Sequence, residues 1–127
     1  MPSASLPKAR NAANVAVEMA IILPALLIFV LGVIDMGRLV WTQATLDHAV
    51  AQAARCGAVN ATLCGSGAAV QSYAVSEAMG LAASTANFTV GTAACGVMVT
   101  GTFQFDHAIP WFTLATQTLT ATSCYAH

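Results

Sequence analysis

The sequence predicts an α+β protein with one long apolar N-terminal helix, a short second helix, and a small antiparallel β-sheet head stapled by disulfides. Three observations carry this prediction. The run VAVEMAIILPALLIFVLGVID, Val15 to Asp35, is apolar almost throughout, and its helical period continues well beyond it. After Gly57 the texture changes to short alternating runs rich in Thr, Val and Phe. All four cysteines, at 56, 64, 95 and 124, lie C-terminal to the apolar run.

Composition narrows the functional classes. The chain is 57% hydrophobic and only 7% charged, too few charges to cover an ordinary soluble monomer. The formal net charge of −1 leaves no basic stripe for nucleic acid. No CxxC or Cys/His zinc spacing occurs, so the cysteines read as two disulfides formed in an oxidising compartment, with free thiols as the alternative.

The elements follow in chain order. Residues 1–13, with Pro2, Pro7, Lys8 and Arg10, read as a short cytoplasmic leader. From Met19 to Ile34 there are 16 residues without a charged or strongly polar side chain. Such a helical stretch spans roughly 24 Å, short of a bilayer core of about 30 Å, and including Val15–Glu18 makes it a marginal anchor. The basic residues before it place the N-terminus in the cytoplasm and everything after Asp35 outside.

The helical spacing continues through Met36, Leu39, Val40, Leu46, Val50, Ala53 and Ala54 to a Gly57 stop, giving a long helix over 14–57. Pro24 removes one of its internal hydrogen bonds. Asp35 and Arg38, three apart, share a face and form a candidate local ion pair. The head, 58–127, begins with the loop VNATLCGSG and a short helix, Ala68 to Leu81, closed at Gly80. Strands are expected around 86–93, 95–105 and 116–126, with a turn at Asp106 to Phe112 containing Pro110. In the middle strand Val97, Val99, Phe103 and Phe105 share one face, which should pack on the long helix, while Met98, Thr100, Thr102 and Gln104 share the other.

Four cysteines permit three connectivities. Cys56 and Cys64 flank a short loop, and Cys95 opens one strand where Cys124 closes its neighbour, so the expected bridges are Cys56–Cys64 and Cys95–Cys124. Simple alternation puts Cys95 and Cys124 on opposite faces, and a bulge near Gly96 would repair the parity.

Taken together, NAANVAVEMAIILPALLIFVLGVIDMGR, the ending AQAARCGAV, and the C-terminal VTGTFQFDHAIPWF and TLTATSCYA resemble TadE-like pseudopilins, the tight-adherence branch of the type IV pilin superfamily. The most specific feature is a glutamate near the helix start, a proline six residues later, and a carboxylate followed by Gly-Arg at the end. The resemblance implies a pilin-like fold and cleavage by a prepilin peptidase between Ala13 and Asn14, although the residue before the cut is usually glycine in that family. It gives assembly roles to Glu18, Pro24, Asp35 and Arg38. The Asn14 amine of an incoming subunit would pair with Glu18 of a neighbour or with its own Glu18, because an unpaired carboxylate in low dielectric is costly and selects a cation. If the leader is retained, Lys8 or Arg10 of a neighbouring chain would take that place.

The function implied is a structural subunit that waits in the inner membrane and then polymerises with its copies, through the export and assembly machinery, into an extracellular filament. Two other readings stand beside it: a minor pseudopilin serving a pilus made of another protein, and a membrane-anchored periplasmic binding module. A secretory signal peptide fits poorly, because no small-x-small site follows the apolar core.

The remaining polar residues suggest no enzyme. His48 beside Asp47, His107 beside Asp106, and Glu77 have no nucleophile at recognisable spacing and read as surface residues. Asn60 and Asn87 match the glycosylation sequon, and no metal or cofactor motif is present in the sequence.

Overall fold

The computed structural model describes residues 8–108 and 116–126, with side chains from residue 14 onward. Residues 1–7, the Lys8, Arg10 and Ala13 side chains, and the Pro110 turn lie outside the described residues. The chain divides into an N-terminal unit ending at Met36 and a second unit, Gly37–His127.

Helix α1, Lys8–Val59, is longer at both ends than the sequence suggests. It takes in residues of the expected leader because KARNAAN is rich in Lys, Arg and Ala, all strong helix formers. At the other end Gly57 does not stop it. A Cβ at Gly57 would come within 3.0 Å of Val97 Cγ1 and 3.2 Å of Val70 Cγ2, so this glycine serves close packing against the head. Within the N-terminal unit every residue from Asn14 to Ile34 is exposed, on all sides of the helix. Asp35 is buried.

In the second unit α1 buries a stripe of Thr42, Leu46, Ala49, Val50, Ala53 and Ala54. The spacing follows the 3.6-residue period. The expected positions Leu46, Val50, Ala53 and Ala54 lie on it, whereas Val40 lies exposed on the other side. The buried Thr42 hydroxyl donates to the Arg38 carbonyl at 2.8 Å, so no polar atom is stranded there.

The segment after α1 is more ordered than a loop. Asn60 caps a one-turn helix α2, Ala61–Cys64, by accepting from the Leu63 amide at 3.0 Å. Ser66 then caps α3, Gly67–Glu77, which stops short of the expected Leu81. Gly80, at φ +83°, turns the chain away in the left-handed region. A 3₁₀ turn, Thr85–Asn87, leads into the sheet.

Strands β1 (Phe88–Ala93), β2 (Gly96–Phe105) and β3 (Gln117–Tyr125) form an antiparallel sheet in that order. The register runs from Phe88↔Gly101 to Ala93↔Gly96, and from Val97↔Tyr125 to Phe105↔Gln117. Val97, Val99 and Phe105 are buried with Leu119 and Ala121, while Phe103 is half-buried. A Cβ on Gly101 would meet Val50 Cγ1 at 2.9 Å and Leu46 Cδ1 at 3.0 Å. The missing side chain lets the buried face of the sheet approach α1 closely.

The outward face is threonine-rich. Thr89, Thr100 and Thr122 stand in one row across the three strands, and Thr102 pairs with Thr120 beside them. The Thr100 and Thr122 hydroxyls share a 3.2 Å hydrogen bond.

The parity problem at Cys95 is solved without a bulge, because both strand registers run without an inserted residue. Cys95 sits instead in the two-residue turn between Ala93 and Gly96, where strand alternation does not apply. Gly96 makes this possible at φ +122°, since a Cβ there would run into the Tyr125 carbonyl.

Candidate functional site

The first part of α1 is the candidate functional element. Glu18 is exposed one helical turn after Asn14, and among the described residues it has no hydrogen bond or ion pair. Val15, Ile21 and Ile22, its neighbours along the helix, are all exposed and apolar. Each turn advances about 5.4 Å, so Asn14 and Glu18 stand one turn apart on one face of α1. Pro24 lies inside the helix and leaves the Ala20 carbonyl without its usual donor.

At the other end Asp35 is 6% exposed. The Arg38 guanidinium lies over the Phe105 ring, 5.4 Å from its centroid, and His107 meets the same ring edge-on at 5.3 Å. Sequence reasoning missed this cluster, because nothing local relates Arg38 to a strand residue far along the chain. It also missed the contact of His48 with Glu77, whose Nε2 and Oε2 atoms are 3.6 Å apart. The imidazole is largely exposed, and such pairs contribute little to stability.

The structure brings Cys56 together with Cys64 and Cys95 together with Cys124, at Cα separations of 5.7 and 6.1 Å. The first bridge joins the end of α1 to α2, and the second ties the β1–β2 turn to β3. The loops they close span 8 and 29 residues. By chain entropy the bridges are worth about 2.5 and about 3.6 kcal/mol. Replacing Cys95 and Cys124 by serine is therefore expected to lower the unfolding free energy by more than replacing Cys56 and Cys64, which denaturant titration of the two double variants would measure.

A groove of about 390 Å³ lies beside β1, lined by Gly57, Gly65, Val70, Val90 and Thr92 among others, with no ionisable side chain in its wall. The Ser66 hydroxyl in this wall accepts from the Ala69 amide as a helix cap. The groove presents no acid–base pair for chemistry.

Among the described residues one helix is long and apolar enough to cross a membrane, starting at Asn14. No curated protein and no solved structure matches the chain. Residues 14–55 match the model of the TadE-like protein family, a stretch that opens at Asn14 and contains Glu18, Pro24, Asp35 and Arg38. That family suggests a protein associated with the tight-adherence pilus. Over the stretch of α1 that carries its apolar run, the chain is similar to TadE-like proteins, consistent with a TadE-like pseudopilin.

Proposed function

We propose that this protein is a pilin-like structural subunit, held in the inner membrane by α1 with its N-terminus in the cytoplasm, and polymerised through the same helix into an extracellular filament. The observation that supports this best is the exposure of every residue from Asn14 to Ile34 around the whole helix, with Glu18 the one ionisable group among them. A helix apolar on all sides needs lipid or other helices around it. Filament growth exchanges the first for the second, and its partners are copies of this chain, delivered by the assembly and export machinery.

In this reading a prepilin peptidase removes residues 1–13, and the Asn14 amine pairs with Glu18 of a neighbour. Pro24, Asp35 and Arg38 are the other α1 positions to which this reading gives assembly roles. The charge near the helix entrance weakens the anchor but sets the register of packed helices.

Intact-mass spectrometry of sheared surface material tests this, with and without reduction and alkylation. The expected species begins at Asn14 and takes up alkylating reagent only after reduction. A species retaining the leader would transfer the pairing role to Lys8 or Arg10. Absence from the sheared fraction, with the protein recovered only by detergent, would overturn the filament and leave a membrane-anchored module. Presence at trace level beside another abundant subunit would make it a minor pseudopilin.

A further inference from the structure

The charges that would mark the outer membrane boundary do not lie on every side of α1. Asp35 is buried, and Arg38 turns its guanidinium over Phe105. Arg38 faces the side on which α1 packs its sheet, and Asp35 stands on the same helical period as Arg38, Thr42 and Leu46. The opposite side of the helix carries Gly37, Val40, Trp41 and Ala44, spaced three and four apart. Val40 is 57% and Trp41 68% exposed, with no part of the head over them. The first ionisable groups on this side are Asp47 and His48, almost two turns beyond Trp41.

This arrangement bears on a length that the sequence alone leaves short. From Met19 to Ile34 the helix covers roughly 24 Å, less than a hydrocarbon core of about 30 Å. Carried to Trp41 on the uncharged side, the same helix covers about 35 Å, enough for the core and part of the headgroup layer. Tryptophan is the residue that favours that layer, because its ring is apolar and its indole N–H needs a polar partner.

We infer that the Gly37–Val40–Trp41–Ala44 side of α1 is embedded in the outer leaflet before assembly, with Trp41 seated at the headgroup level, so that the membrane boundary lies at Trp41 on this side. The occupant of this face is lipid. The inference rests on the membrane-anchored stage of the function proposed above, and does not depend on the filament.

The chain contains two tryptophans, at 41 and 111, so Trp111→Phe in the full chain leaves Trp41 as the sole indole emitter, and Trp111→Tyr serves equally if the first does not fold. The protein is placed at low density in phosphatidylcholine vesicles, with or without bromine on the acyl chains. Expected are a blue-shifted emission, at least halved by the brominated lipid, and little quenching by aqueous iodide. Emission typical of water, quenched by iodide and indifferent to bromine, would overturn the inference while leaving the anchor intact. Failure of the protein to float with the vesicles would overturn both. Loss of bromine quenching on adding excess Trp41→Phe, Trp111→Phe copies would show that a second helix takes the face and would overturn lipid as its occupant.

Discussion

Glu18→Gln is expected to reduce the amount of this protein in sheared filaments more than tenfold while leaving the membrane-bound pool equal or larger. The two changes have opposite signs for one reason. In the bilayer the carboxylate is a cost, and its removal makes the apolar run a better anchor. In a packed bundle of helices the partner cation would be left buried and alone, which costs about 3–5 kcal/mol for each broken pair. Every 1.4 kcal/mol is about a factor of ten, so loss at each subunit contact would stop elongation. Glutamine nearly preserves the volume, so packing is not the variable. Immunoblots of sheared and membrane fractions from the same cells measure both effects, and an undiminished sheared fraction would remove Glu18 from the assembly mechanism.

Gly96→Ala is expected to cost the head about 3 kcal/mol, at the upper end of what a strained backbone position carries. Two causes act at the same atom. The φ of +122° is one that L side chains rarely adopt, and the added Cβ would meet the Tyr125 carbonyl. That neighbour is backbone in a paired strand and cannot swing aside as a side chain would. The same turn carries Cys95, so its distortion also disturbs the bridge to Cys124. Gly91→Ala is the control, because a Cβ there meets nothing within 4 Å and the residue lies in the same sheet. Denaturant unfolding of the full chain in detergent, followed by near-UV dichroism, should separate the two variants clearly.

The parts of the fold legible in the sequence are those set by period. The apolar run, the stripe through Leu46, Val50 and Ala53, and the alternation of Val97, Val99 and Phe105 each repeat at the spacing of their element. What stayed hidden depends on contacts between distant segments. Gly57 looks like a helix stop in one dimension, and only the approach of Val97 and Val70 explains why it lies inside the helix. Cys95 defeats alternation because a two-residue turn, not a bulge, carries it. The short helix α2 rests on a single Asn60 cap, too local a signal to distinguish from a turn. In the candidate site, Glu18 and Pro24 stand out by being odd in an apolar context, whereas the placement of Arg38 over Phe105 has no sequence signature.

The threonine rows on the outward face of the sheet bear on the setting in which the protein works. Thr89, Thr100, Thr102, Thr118, Thr120 and Thr122, with Gln104 and Met98 among them, present hydroxyl, amide and thioether groups and nothing that titrates. Contacts made by such a face owe nothing to long-range charge, which falls away over about 10 Å at 0.1 M salt and more steeply in brine. Any contact this face makes would therefore hold equally in fresh water and in sea water, and at acid or alkaline pH, whatever the chemistry of the habitat.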